Sequence, residues 1–120
     1  EAFHELVRGY DLVVNPTRME SFGMAALEVV AAGVPLLSTR TGVIEQVLES
    51  PDALFPPRRP DLLAAALERA LLHWQEIDFG TERGQENIRA KFLIDYTVTR
   101  LNEHYRSGLS RFRTSSARQA

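Results

Sequence analysis

The sequence predicts an α/β fold, a parallel sheet with flanking helices, from two apolar runs and the helical segment between them. Residues 11–15 and 34–38 are short and mostly apolar, which is typical of strands buried on both faces. Residues 23–32 have a helical composition and are followed by Gly33, a common C-terminal stop. A strand, a helix and a second strand in so short a span form a parallel crossover.

The same pattern continues more loosely toward the C-terminus. We expect a short helix over residues 42–48, an extended piece at 53–55, and a longer helix capped by Asp61. Apolar side chains recur in the longer helix at i, i+3 and i+4 spacing, at Leu62, Leu63, Ala66, Leu67, Ala70, Leu71 and Trp74. This helix is therefore expected to lie on the sheet. Residues 81–92 and 95–107 are predicted to form two more helices.

Charge separates a body from a tail in this chain of 120 residues and formal net charge -2. Acids outnumber bases in residues 1–105, and residues 106–120 hold four bases and no acid. These bases are Arg106, Arg111, Arg113 and Arg118. We expect a domain over residues 1–107 and a polar, basic, flexible tail over residues 108–120. An acidic body lacks the basic face that nucleic acid requires, so no nucleic-acid partner is expected.

The composition also argues against metal and membrane-spanning classes. The chain has no cysteine, and His4, His73 and His104 are far apart in sequence, so we expect no metal site. No apolar run approaches the roughly twenty residues of a membrane span, and the N-terminal EAFHELVRGYD does not resemble a signal sequence. A cytoplasmic protein is expected.

The segment PTRMESFG, residues 16–23, joins the first predicted strand to the first predicted helix. Such a loop lies at the carboxyl end of a parallel sheet, where ligands bind in open α/β folds. The backbone amides expected at the helix start are those of Ser21, Phe22, Gly23 and Met24. Unpaired donors at a helix start suit a phosphate or sugar hydroxyls, and Glu20 is expected at the edge of the same site.

Glu28 is the only charged residue between Phe22 and Ser38. An ionised group against a core costs several kcal/mol unless it is compensated, so Glu28 is expected to have a partner. A carboxylate accepts two hydroxyl donors at once, which matches a vicinal diol such as that of a ribose. The alternatives are that Glu20 is an exposed loop acid and that Glu28 pairs with an arginine such as Arg40.

Residues 10–48, YDLVVNPTRMESFGMAALEVVAAGVPLLSTRTGVIEQVL, resemble the nucleotide-sugar-binding core of the group 1 (family 4) retaining glycosyltransferases of the GT-B fold. The pattern of that family includes P-S-x-x-E-x-F-G-x-x-x-x-E-A-x-A-x-G-x-P. The matching positions are Glu20, Phe22, Gly23, Glu28, Gly33 and Pro35. The segments LFPPRRPDLLAAALERAL and KFLIDYTVTRLNEHY resemble later helices of the same family.

The resemblance implies a Rossmann-like sheet, here the C-terminal portion of a GT-B donor domain. It implies a retaining, metal-independent transferase without a cofactor, which moves a sugar from a nucleoside-diphosphate donor to an acceptor hydroxyl. Glu20 would be the catalytic residue that contacts the donor sugar together with the amides of residues 21–24, and Glu28 would hold the ribose. An N-terminal acceptor domain, the first strands of the donor domain and a basic pair for the diphosphate are missing from these residues. We therefore expect the 120 residues alone to be inactive.

The sequence departs from the family pattern at several places, among them Thr17 for the commoner Ser, and leaves other functions open. Gly42-Val43 stands where the family has Gly-Gly, which bears on close backbone approach in residues 39–42, and Arg58-Arg59 replaces Gly-Asp. One alternative is a sugar-nucleotide epimerase or a phosphorylase of the same architecture. Another is a non-catalytic scaffold or interaction module that self-associates through its exposed strand edge.

Overall fold

The structure is a computed structural model that describes residues 2–117, with side chains for residues 2–93 and 97–109. It divides into two compact units, residues 1–88 and residues 89–120. The first unit contains the whole sheet, and the second contains the last long helix.

The helices and strands follow one another in the order that the crossover pattern predicts. They are α1 (Ala2–Val7), β1 (Val13–Asn15), α2 (Met24–Ala31), β2 (Leu36–Thr39), α3 (Ile44–Leu48), β3 (Leu54–Phe55), α4 (Pro60–Leu72), α5 (Thr81–Lys91) and α6 (Ile94–Ala117). A single 3-10 turn, Trp74–Glu76, follows α4.

The three strands form one parallel sheet in the order β1-β2-β3. Val13 pairs with Leu36 in the first ladder, and Ser38 pairs with Leu54 in the second. The predicted α/β fold with a parallel sheet is therefore confirmed. Within residues 2–117, β1 has a strand on one side only, and self-association through this edge stays a prediction.

The core of the first unit lies around the central strand. All four residues of β2 are buried, and Leu36 and Leu37 are fully inaccessible. Helix α2 covers the sheet with Ala26, Leu27, Val29 and Val30, and α3 adds Ile44, Val47 and Leu48. Burial of these apolar side chains stabilises α2 and β2, which gives the loop between β1 and α2 a rigid support.

Some details differ from the sequence-based expectation. Helix α1 was not anticipated, and β1 is half-buried rather than buried on both faces. Asp61 is not the N-cap of α4, because the helix begins at Pro60 and Arg59 occupies the cap position. The Asp61 carboxylate instead accepts two hydrogen bonds from the Arg59 guanidinium, at 2.9 and 2.6 Å.

The apolar face of α4 is less buried than its spacing predicts. Ala70 is the buried residue of this helix, and Leu71 is 82% exposed. Helix α6 continues to Ala117 and so includes most of residues 108–120, for which the sequence predicts a flexible tail. No helix in the described range 2–117 combines the length and the apolar character that crossing a membrane requires.

Gly84 of α5 lies directly against the core, and its replacement tests that packing. A Cβ at this position would lie 2.6 Å from Val30 Cγ1 and 3.2 Å from Leu48 Cδ2. Overpacking of this kind costs about 1–3 kcal/mol, against a gain of about 1 kcal/mol from better helix propensity. We therefore expect Gly84→Ala to lower the free energy of unfolding in urea denaturation.

The matched control for this substitution is Gly108→Ala in α6, where a Cβ would meet nothing within 4 Å. Only the propensity gain applies there, so the control should leave stability unchanged or raise it slightly. An equal response of the two variants would contradict the packing of Gly84.

Candidate functional site

The loop of residues 16–23 leaves the carboxyl end of β1 and is anchored to the neighbouring strand. The hydroxyl of Thr17 lies 3.2 Å from that of Thr39 and 2.9 Å from that of Thr41. Thr39 donates to the Thr17 carbonyl at 2.8 Å, and Asn15 donates to the Ser38 hydroxyl at 3.1 Å. These bonds hold the start of the loop on the end of β2.

A second anchor joins the loop to the connection between β2 and α3. The Val43 amide donates to the Phe22 carbonyl at 3.0 Å. Gly42 has φ +62°, and a Cβ there would lie 2.3 Å from the same carbonyl oxygen. The backbone therefore approaches closely at Gly42. Val43 stands where the family pattern has a second glycine, and it does so without strain because its φ is -98°.

Helix α2 begins without a side-chain cap. Its N-cap residue, Gly23, adopts a left-handed conformation with φ 91°, and its carbonyl accepts the first helical bond, from Leu27 at 3.2 Å. Among the residues that the structure describes, the amides of Ser21, Gly23 and Met24 have no acceptor. Three backbone donors are thus available at the positive end of the helix dipole.

Glu20 is a half-buried residue of this loop and lies beside Gly23 and Gly42. Its Cβ is 4.0 Å from the position of a Cβ on Gly23 and 3.3 Å from one on Gly42. Its carboxylate forms no ion pair or hydrogen bond with the part of the chain whose side chains are described. A close-packed stem and an unpartnered carboxylate leave Glu20 able to accept hydrogen bonds from a ligand.

Glu28 lies four residues beyond Met24, which places it about 6 Å further along α2. It is half-buried between the buried residues Leu27 and Val29. The Glu28 carboxylate has no hydrogen bond or ion pair to any side chain or amide within the described ranges. Arg40, the alternative partner, pairs with Glu45 at 2.5 Å instead.

The structure therefore brings all six site residues predicted from the sequence to one loop and the following two turns of helix. Sequence reasoning did not find the threonine anchor or the contact of Gly42 with the Phe22 carbonyl. The segment STRTG, residues 38–42, carries three hydroxyl side chains at the end of β2 and just after it, and it was the available signal for both. The described side chains include no group of three His, Asp or Glu residues that could hold a metal ion.

Comparison with known families gives a match that covers this site. Residues 1–73 match the family described as Glycosyl transferases group 1. The matched range includes the whole sheet and both glutamates.

Curated relatives agree with this family. A D-inositol 3-phosphate glycosyltransferase of Saccharomonospora viridis is 32% identical over 108 residues, which is 88% of this chain and 25% of that protein. An N-acetyl-alpha-D-glucosaminyl L-malate synthase of Bacillus anthracis is 30% identical over 103 residues, 84% of this chain and 27% of that protein. The chain thus spans about a quarter of the length of the curated relatives it matches.

A solved structure shares the fold. The sucrose-phosphate synthase of Thermosynechococcus elongatus superposes with a TM-score of 0.70 at 24% sequence identity. The superposition covers 88% of this chain and 27% of that one. At this identity the likeness establishes the fold alone, a Rossmann-like α/β arrangement.

Proposed function

The chain belongs to the group 1 glycosyl transferases, and from this premise we propose that it forms the donor-binding part of a retaining, metal-independent glycosyltransferase. The intact enzyme would move a sugar from a nucleoside-diphosphate donor to an acceptor hydroxyl. Because the relatives are about four times as long, we assign the acceptor site and the cations that offset the diphosphate charge to the remainder of the protein.

The proposal rests mainly on the burial of Glu28 and on the lack of a partner for its carboxylate. It is half-buried beside core residues, yet its carboxylate has no partner in the described part of the chain. Desolvating a carboxylate without compensation is unfavourable. A ribose diol would supply two donors to this acceptor-only group, so the ligand provides the compensation that the protein does not.

The loop supplies the second half of the proposed donor site. The amides of Ser21, Gly23 and Met24 are donors without an acceptor among the described residues. They would bind sugar hydroxyls or a phosphate oxygen at the helix start. Glu20 would accept hydrogen bonds from the donor sugar and fix its orientation, which is the role we assign to it as the catalytic residue.

In the transfer step, the bond between the anomeric carbon and the diphosphate oxygen breaks, and its electron pair leaves with the diphosphate. The acceptor oxygen forms the new bond to the anomeric carbon, and its proton passes to the departing diphosphate. Positive charge develops on the sugar during this exchange, and the carboxylate of Glu20 would offset it. The close backbone contact at Gly42 and the hydrogen bond of Thr17 to Thr41 would hold Glu20 and the loop amides in place.

The experiment that tests the function uses the intact protein with UDP-, GDP- and ADP-linked sugars and a panel of hydroxyl acceptors. Mass spectrometry detects the product, and NMR of the new linkage gives its anomeric configuration. We expect transfer from one donor class with retained configuration and the same rate in EDTA. Inversion would contradict the retaining mechanism, loss of activity in EDTA would contradict metal independence, and epimerised donor without transfer would favour the epimerase alternative.

A further inference from the structure

A second concave surface lies at the carboxyl ends of all three strands. It is a cleft of about 220 Å³ between the residues that follow β1, the last residues of β2 and β3, and the start of α4. Phe55, Pro60 and Leu63 give it an apolar lining, and the buried Thr39 also lines it. We call this surface the arginine cleft, because Arg18 and Arg58 also line it.

The charge of the arginine cleft is not balanced by the protein. Within the described ranges, neither Arg18 nor Arg58 has a carboxylate partner. Arg59 also lines the cleft, but its guanidinium is bound to Asp61 through two hydrogen bonds. Asp61 is thus already neutralised, and no acid is among the lining residues. Two guanidinium groups without a carboxylate partner, on residues that line one cleft, favour an anion there.

The backbone of Arg58 gives an independent indication. Its φ is +62°, a left-handed conformation that glycine adopts easily and that a residue with a Cβ adopts at a cost. The Arg58 side chain makes no hydrogen bond within the described residues that would repay this strain. Strained residues of this kind concentrate at ligand-binding positions.

We propose that the arginine cleft binds the phosphate group of a small ligand between the guanidinium groups of Arg18 and Arg58. A guanidinium donates two parallel hydrogen bonds to phosphate oxygens, which suits a tetrahedral anion. The volume fits a phosphoryl group with a small organic part, whose apolar edge packs on Phe55. The phosphate comes either from a bound nucleotide, where these arginines would add to the cations assigned to the remainder of the protein, or from a separate phosphate monoester.

The test measures binding to the intact protein by isothermal titration calorimetry, with inorganic phosphate, glucose 6-phosphate and UDP as probes at constant ionic strength. Combining Arg18→Gln with Arg58→Gly should weaken at least one probe tenfold or more. Weakening of UDP alone assigns the cleft to a nucleotide diphosphate, and weakening of glucose 6-phosphate and inorganic phosphate assigns it to a monoester. Unchanged affinity for all three probes would overturn the proposal.

Two controls separate binding from folding and from overall charge. Arg58→Gly should leave the unfolding midpoint equal or higher, because glycine relieves the positive φ. Arg8→Gln removes one positive charge, as Arg58→Gly alone does, from an exposed position outside the cleft, and it should change no affinity more than twofold. The proposal does not depend on the donor role of Glu28, since glucose 6-phosphate has no ribose and its affinity should survive Glu28→Ala.

Discussion

Replacing Glu28 by alanine is expected to weaken binding of the nucleoside-diphosphate sugar to the intact protein about 100-fold. A hydrogen bond to a charged group contributes about 1.5–3 kcal/mol, and the proposed site loses two of them. Because the two hydrogen bonds are not additive, we expect a total loss of about 3 kcal/mol of binding free energy, which corresponds to a loss of affinity of about 100-fold. Titration calorimetry with the donor found in the transfer assay measures the change.

The same substitution should not destabilise the fold. Glu28 has no partner among the described residues, and alanine is a better helix former than glutamate. A loss of donor affinity with an unchanged or higher unfolding midpoint is therefore the signature of a binding residue, since binding groups are often unfavourable for stability.

Two further variants make the result specific to Glu28. Glu28→Gln keeps the shape but removes the charge, so we expect a smaller loss of about tenfold. Glu68→Ala removes an exposed carboxylate of α4 that has no described partner, and it should leave donor affinity unchanged. Wild-type affinity in Glu28→Ala would contradict the ribose-binding role, whatever the activity of the intact protein.

The sequence predicted those parts of the fold and site that depend on local pattern. Apolar residues on both sides of a helical segment were sufficient to predict β1, α2 and β2 and their parallel arrangement. The loop residues follow from that crossover, because the connection after a parallel strand must lie at the carboxyl edge of the sheet. The isolation of Glu28 in an apolar run also correctly indicated a carboxylate near the core.

Tertiary contacts account for what the sequence did not predict. The burial of β1 depends on what packs against it, also at the edge that has no neighbouring strand within residues 2–117, so an apolar run cannot distinguish half-buried from buried. Asp61 matched an N-cap by position, but the guanidinium of Arg59 competes for its carboxylate, and α4 begins one residue earlier. Likewise, only the structure shows that Arg40 forms an ion pair with Glu45 rather than with Glu28.

Gly42→Ala is expected to lower the free energy of unfolding by about 2–5 kcal/mol. A left-handed conformation costs a residue with a Cβ about 1–2 kcal/mol, and overpacking adds about 1–3 kcal/mol. Here the new Cβ would meet the carbonyl oxygen of Phe22 at 2.3 Å, a backbone atom that cannot rotate away. Urea denaturation of the variant measures the loss.

Gly33→Ala separates the two contributions. Gly33 also has positive φ, at +80°, but a Cβ there meets only the Gln85 side-chain amide, at 3.2 Å, which is the end of a flexible side chain. Moving this amide aside breaks its exposed hydrogen bond to the Ala31 carbonyl. The control should therefore show the conformational loss of about 1–2 kcal/mol and at most this one exposed hydrogen bond in addition. Equal losses in the two variants would mean that the contact of Gly42 with Phe22 contributes nothing.

The consequence for function follows from the position of the clash. Moving the Phe22 carbonyl displaces the loop between Glu20 and the start of α2, and it breaks the bond from the Val43 amide. The donor site is therefore expected to be distorted in Gly42→Ala and unchanged in Gly33→Ala, although both variants carry the strain of a positive φ. Weaker donor binding in the folded Gly42→Ala protein, with wild-type affinity in Gly33→Ala, would indicate that the β2–α3 connection sets the shape of the donor loop.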